Sequence, residues 1–214
     1  MKKLVCRELN EIALLYCCEK LDELDYIVGW GTLLGLVREG RLLDYDDDID
    51  FYVNIKLRDI VIEVFKDSRL YIDGDHYINQ TPFFLMGKFN HDEEETESQV
   101  DFYFFKDDPK LTFIEDRWNS SPYHFMDPKK WIYIPKNIVF PISEKYFFGQ
   151  RIKFPHDHEG ACEYFYGDGW KLPLKKGSQY ETIIFDNKPK VIKISLIRRA
   201  LRLFSRILRF SKIS

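Results

Sequence analysis

The sequence predicts an α+β fold, a mixed sheet with flanking helices, and a C-terminal amphipathic helix beyond it. Three observations lead there. Helical and strand-like periodicities alternate as far as residue 66, and strand-like segments then dominate to residue 155. Residues 192–210 return to a helical rhythm with apolar and basic residues on opposite faces. A chain of 214 residues that is 45% hydrophobic and 16% aromatic can bury a proper core and is not a disordered sequence. We expect a body over residues 1–187 and a separate tail over 188–214.

Residues 4–24 read as an amphipathic helix, with Leu9, Ile12, Ala13, Tyr16, Cys17, Lys20 and Leu21 close to an i, i+3, i+4 rhythm. Tyr26-Ile27-Val28 is a short strand-like run that ends at Gly29. A short helix is expected from Thr32 to Arg38, with Thr32 as its N-cap. Residues 49–55 alternate as a strand does, and Arg58–Lys66 has helical periodicity. Residues 82–90 and 99–105 read as a hairpin around the charged run 91–97, which is expected to be a solvated loop. Gly74, Asp75 and His76 read as a turn. Short strands and turns follow over 109–155, and a helix at Ala161–Tyr166 stops at Gly167-Asp168-Gly169.

Charge is unevenly distributed. The formal total is −3, yet residues 188–214 hold nine basic residues and no acid, which leaves −12 on residues 1–187. Apolar Leu196, Ile197, Ala200, Leu201, Leu203, Phe204, Ile207 and Leu208 oppose Arg198, Arg199, Arg202, Arg206 and Arg209. Such a helix suits an anionic membrane surface, the alternative being that it docks on the acidic body. No aromatic residue interleaves the basic face, so nucleic acid is not an expected partner. The start of the chain lacks the apolar core of a signal peptide, and no stretch is long enough for a membrane span. The expectation is a cytoplasmic protein, peripheral on the cytoplasmic face of the membrane. The four cysteines have neither CxxC nor zinc spacing and are expected as buried apolar residues.

The chemistry concentrates in Asp46-Asp47-Asp48-Ile49-Asp50. In an extended chain residues i, i+2 and i+4 share a face, so Asp46, Asp48 and Asp50 are expected on one side and Asp47 on the other. Carboxylates so close repel one another, and a divalent cation with a preference for hard oxygen ligands removes the conflict. Upstream, Gly31-Thr32 follows a strand and opens a helix, where backbone N–H groups and the helix dipole favour a phosphate. Downstream, Asp101 interrupts the apolar run Val100–Phe104 and needs a partner, either the same metal or a basic side chain. Together these features describe three carboxylates that hold Mg2+ against nucleotide phosphates. His156 and His158 flank Asp157 without a third ligand at useful spacing. Trp118, Trp131 and Trp170 are expected in the core, although one of them could stack on a cytosine or enclose a choline.

Gly31-Thr32-Leu33-Leu34-Gly35-Leu36-Val37-Arg38, the Asp46–Asp50 cluster, Val100-Asp101-Phe102 and the closing Tyr164-Phe165-Tyr166-Gly167-Asp168-Gly169-Trp170 resemble the LicD/fukutin family of phosphotransferases. The resemblance runs over residues 8–174. It implies a nucleotidyltransferase-like fold, Mg2+ or Mn2+ as cofactor, and a CDP-activated donor such as CDP-choline. It also implies transfer of phosphocholine, or of ribitol or glycerol phosphate, to a hydroxyl of a glycan or lipid-linked glycan, with release of CMP. Such glycans include lipopolysaccharide, capsule polysaccharide and teichoic acid. By position, Asp48, Asp50 and Asp101 would bind the metal, and Asp46 would be an outer ligand or the base for the acceptor hydroxyl. Gly31 and Thr32 would contact the donor phosphates, and Arg38 would neutralise them. The chain departs from the family pattern at Leu43-Asp44-Tyr45, where relatives carry a tryptophan, and at Glu39-Gly40-Arg41. Two other readings use the same residues: transfer of NMP from an NTP to a small molecule or protein, and a non-catalytic metal- or glycan-binding subunit of a capsule assembly complex.

Overall fold

The computed structural model describes residues 6–44, 46–78, 80–91, 96–116 and 132–173. The expected tail helix over 192–210 and the boundary at 187 lie outside the described residues, as do Tyr45, Trp118, Trp131 and residues 92–95 of the acidic run.

Helix α1 (Cys6–Lys20) leads into β1 (Tyr26–Val28), α2 (Trp30–Arg38) and β2 (Asp48–Asn54). A single 3-10 turn at Ile55–Leu57 precedes α3 (Arg58–Phe65), and three long strands follow: β3 (Leu70–Ile78), β4 (Thr81–His91) and β5 (Thr96–Lys106). Then come β6 (Phe113–Asp116), β7 (Ile132–Pro135), a single turn of helix α4 (Lys136–Val139), the hairpin β8 (Ser143–Phe147) and β9 (Gln150–Phe154), and α5 (His158–Tyr166). The main sheet has the order β1-β2-β5-β4-β3, with β6 on the far end of β5 and β7 on β6. Only the β2–β5 pair is parallel among the described strands, and it sets Asp48 opposite Gln99, Asp50 opposite Asp101 and Tyr52 opposite Tyr103.

The expectation of a mixed sheet with flanking helices holds, and the reason is the period-2 pattern of β2. Ile49, Phe51 and Val53 are fully buried on one face. There Phe51 meets Phe102 at 5.5 Å, Phe102 meets Phe65 of α3, and Phe89 of β4 meets Tyr16 of α1 at 5.0 Å. The other face carries Asp48, Asp50 and Tyr52, and α2 and α5 pack over its β2 end. Cys17, Cys18 and Cys162 are free and buried, as apolar residues would be. Among the described residues no helix is long and apolar enough to cross a membrane.

Two local expectations are corrected. Gly74, Asp75 and His76 do not turn; they lie inside β3, which bulges between Ile72 and Gly74 and so keeps pairing with β4. Thr32 is not an N-cap. Helix α2 begins at Trp30 with Gly29 as its cap residue and no side-chain cap bond.

Close backbone approach fixes α2. A Cβ added at Gly35 would lie 2.8 Å from the Arg41 carbonyl oxygen and 2.9 Å from the Leu43 nitrogen, so the segment leading to the Asp cluster crosses directly over this glycine. Neither atom can yield without moving the segment. Gly35→Ala should therefore lower stability by about 1–3 kcal/mol, the usual range for overpacking, as read from urea unfolding.

Candidate active site

The site lies where the N-terminus of α2 meets the starts of β2 and the middle of β5. Asp48 and Asp50 reach it because alternate residues of β2 share a face. Asp46 precedes the strand, so alternation does not place it. It is held by its backbone: the Asn10 side chain of α1 donates to the Asp46 carbonyl (3.1 Å), and the Asp46 N–H donates to the Leu43 carbonyl (3.4 Å). Its carboxylate lies against Gly31, where an added Cβ would fall 2.7 Å from the carboxyl carbon. The glycine thus makes room for the acid as well as exposing the helix end. One oxygen from each of Asp46, Asp48 and Asp50 can lie within 4.8 Å of the others. Asp47 is exposed and also precedes the strand, and its charge reaches Asp46, Asp48 and Asp101.

Asp101 is brought beside this group by the parallel register, and both of its oxygens accept from the Gln99 amide at 3.1 Å. Thr32 is fully buried, and its hydroxyl accepts the Asp50 backbone N–H at 3.0 Å. With the Gly29 N–H donating to the Asp50 carbonyl (3.0 Å), this pins both ends of one residue of β2 to the start of α2. The Thr32 hydroxyl thus binds the strand backbone, and the helix offers an anion the backbone N–H groups of its first turn. Arg38 stands at the other end of α2, about 12 Å along the axis from Trp30. Its guanidinium donates to the Trp170 carbonyl (3.2 Å) and to Glu39 (2.8 Å), which ties α2 to the closing Tyr-Gly-Asp-Gly-Trp segment. The extra charge at Asp44 is met by Arg41 (2.6 Å) and Arg7 (2.5 Å), which lower its pKa to about 2.

Around the acids stand aromatic hydroxyls that the sequence reading did not select. Tyr103 hydrogen-bonds Asp50, and Tyr166 of α5 feels the charge of Asp50, Asp46 and Asp48. Tyr52 stacks on Tyr103 at 5.2 Å and donates to the fully buried Asp116 at 2.9 Å. Trp30, at a φ of 37°, lies 6.2 Å from Tyr103 and 4.9 Å from Phe165. Tyr103 was legible as the neighbour of Asp101 in an alternating strand. Tyr166 is far away in sequence, and its signal was its place in the closing Tyr164–Trp170 motif, which assigned it no role.

Burial dominates the electrostatics. It raises Asp46 to about 7, with the charges of Asp48 and Asp47 adding to it, and Asp48 to about 6, with Asp47 adding. Asp101 rises to about 7 through burial and the Asp48 charge, against the Gln99 bond. Asp50 is pushed well above the carboxylate range by burial and then by Asp48, Asp46 and Asp101. Such a set fits a divalent cation: the donors are hard oxygens, and Asp46 Oδ2 is buried with no hydrogen-bond partner among the described residues. Among the described residues His156 and His158 join no such group; His158 Nε2 meets Lys145 Nζ at 2.6 Å.

Two predictions follow from these contacts. Thr32→Val keeps the shape but strands the buried Asp50 N–H, and should cost about 1–3 kcal/mol in chemical unfolding, whereas Thr32→Ser should cost less. The raised acids give a pH dependence of definite sign. Below about pH 4 they are protonated both folded and unfolded; as pH rises to about 7 the unfolded chain ionises first, so they oppose folding increasingly. A bound cation cancels this, so the rise in melting temperature given by millimolar Mg2+ or Mn2+ should be small at acidic pH and grow through neutrality. A shift that is flat with pH, or absent, would contradict the assignment.

Comparison with known proteins gives the family and the fold. The family model described as LicD/FKTN/FKRP, nucleotidyltransferase domain, matches residues 23–157, more than half of the chain. No curated protein matches. Among solved structures, the lincosamide antibiotic adenylyltransferase LnuA, lincomycin-bound, is similar at 14% identity and a TM-score of 0.50, over 85% of this chain and 99% of that one. A putative nucleotidyltransferase from Thermotoga maritima (TM1012) is similar at 12% identity and a TM-score of 0.44, over 95% of each chain. The antibiotic-resistance protein ANT(2")-Ia, in complex with adenylyl-2"-tobramycin, is similar at 14% identity and a TM-score of 0.44, over 92% of this chain and 98% of that one. The chain belongs to the LicD/FKTN/FKRP family, nucleotidyltransferase domain, and its function is in the transfer of phosphate- or nucleotide-bearing groups.

Proposed function

We propose that this protein transfers a substituted phosphate (phosphocholine, or glycerol or ribitol phosphate) from a CDP-activated donor to a hydroxyl of a cell-surface glycan or glycolipid, with release of CMP. The observation that carries the reading is the convergence of Asp46, Asp48 and Asp50 to within 4.8 Å, with Asp101 in register beside Asp50, at the N-terminus of α2. Asp46, Asp48 and Asp50, with Asp101 alongside, would hold Mg2+ or Mn2+, which when bound neutralises charge on the transferred phosphorus and orients the leaving group.

The chain's own groups account for the rest. The first-turn N–H groups of α2, at Gly31 and its neighbours, face donor phosphates together with the positive end of the helix dipole. Thr32 fixes the backbone of Asp50, and Gln99 fixes the carboxylate of Asp101. The acceptor oxygen bonds to phosphorus as the bond from phosphorus to the CMP oxygen breaks, and the acceptor proton passes to a carboxylate of the cluster, Asp101 or Asp46. Arg38 acts on the site by bracing α2 against the segment at Trp170. The basic, amphipathic residues 192–210 would bring the enzyme to the cytoplasmic face of an anionic membrane, where a lipid-linked acceptor is available.

CDP-choline, CDP-glycerol and CDP-ribitol, each supplied with Mg2+, should distinguish the donors by CMP release. Asp48→Asn and Asp50→Asn should each reduce release by at least about a hundredfold with far-UV circular dichroism unchanged, in keeping with loss of a charge-stabilising group. Pyrophosphate release from CTP or ATP, with no CMP from any of the three, would identify the chain as a nucleotidyltransferase instead. Mg2+-dependent nucleotide binding with no turnover of any donor would identify a binding subunit.

A further inference from the structure

Asp46 stands ahead of β2, so the pleat of the strand does not aim it, and its carboxylate must be kept near Asp48 against their mutual repulsion. The segment that carries it leaves α2 at Glu39 and enters β2 at Asp48. Leu42 anchors the first half of this segment in the core. The second half is gripped from outside.

The grip is an ion-pair network centred on Asp44. Arg41 pairs with that carboxylate through both terminal nitrogens, at 2.6 and 3.2 Å, and Arg7 of α1 reaches the same Oδ1 at 2.5 Å. Arg41 also meets Glu39 at 3.3 Å, and Arg7 is held in its turn by Glu11 at 3.6 Å and Glu8 at 3.9 Å. A single exposed ion pair fixes little, but a bidentate arginine with a second guanidinium on one carboxylate restricts both distance and angle. The Asp46 N–H donates to the Leu43 carbonyl at 3.4 Å, which closes a turn that contains Asp44. Arg7 and Asn10 lie one helical turn apart on one face of α1. The Arg7–Asp44 pair and the bond from Asn10 to the Asp46 carbonyl (3.1 Å) are therefore two rungs between that face and the turn.

We propose that Arg7 and Asp44 are positioning residues for the cation site: by clamping the turn to α1 they hold the Asp46 carboxylate within reach of Asp48 and Asp50. The inference rests on the reading of the acidic cluster as a cation site. It makes a prediction opposite in sign to that of simple charge. A positive charge near the cluster opposes a cation, so removing Arg7 should tighten cation binding if only its field matters. If Arg7 acts by holding Asp46 in place, removing it should weaken binding.

The test is isothermal titration of Mn2+ into the full chain, at a temperature where circular dichroism shows each variant folded. Arg7→Met, at a side chain 24% exposed, should weaken Mn2+ binding about tenfold, the low end for partners that orient a ligand from behind. Arg7→Lys keeps a cation in the same place and should recover most of the affinity. Asp46→Asn should also weaken binding, and on that background Arg7→Met should change little, because the two act through one ligand. Unchanged or tighter binding in Arg7→Met would overturn the proposal. So would an equal loss on both backgrounds, which marks a general effect on the fold. If the native chain binds Mn2+ and Asp48→Asn weakens it while Arg7→Met does not, the clamp alone is lost and the cation site stands. If the native chain binds no Mn2+, the cation reading falls and the clamp with it.

Discussion

Four carboxylates held together out of water are the constraint on which the rest of this molecule depends. Burial and mutual repulsion raise Asp46, Asp48, Asp50 and Asp101 far from their ordinary range, and folding must supply the energy that keeps them there. The supply comes from the reverse face of the same strands. Ile49, Phe51, Val53, Val100, Phe102 and Phe104 anchor β2 and β5 in an aromatic core so apolar that the register cannot slip by one residue. A one-residue slip would send the acids into that core and the rings into the crevice.

The polar contacts around the acids are few and specific. Thr32 and Gly29 satisfy the backbone of Asp50, Asn10 holds the carbonyl of Asp46, and Gln99 grips the carboxylate of Asp101. Each comes from a different element, so the site is a junction of α1, α2, β2 and β5 and no single segment builds it. Among these contacts only Gln99 lies near its partner in sequence. Asp46 Oδ2 is a buried acceptor that no donor among the described residues meets. Its place beside Asp48 and Asp50 is what gives the cluster the character of a cation site.

Much of this was legible from pattern alone. Alternation in residues 49–55 and 99–105 named both strands, and the same alternation named Asp48, Asp50 and Asp101 as acids on an otherwise apolar scaffold. The Gly31-Thr32 pair was legible as a helix start near the cluster, but the job of the hydroxyl was not. A threonine at the third helical position and a threonine at a cap are one residue type, and only the approach of β2 makes Thr32 a partner for a strand. Gly74 and His76 were read as a turn because glycine beside aspartate breaks local patterns; pairing with β4 across a bulge overrode that preference.

What the sequence by itself determined is the inventory and its local order: a helix, a strand, a glycine-opened helix, an acidic strand, and a second acid on a later strand. Period and propensity act within a few residues, so they decide such things without knowledge of the remainder. The tertiary structure decided which residues meet. Parallel pairing of β2 with β5 set Asp101 beside Asp50, the close crossing at Gly31 admitted Asp46, and α5 brought Tyr166 to face them. Those meetings join residues from 15 positions apart (Gly31 and Asp46) to 116 (Asp50 and Tyr166), beyond the few residues over which a linear pattern acts. The acidic cluster is written in the chain, and the site it forms is made by the sheet.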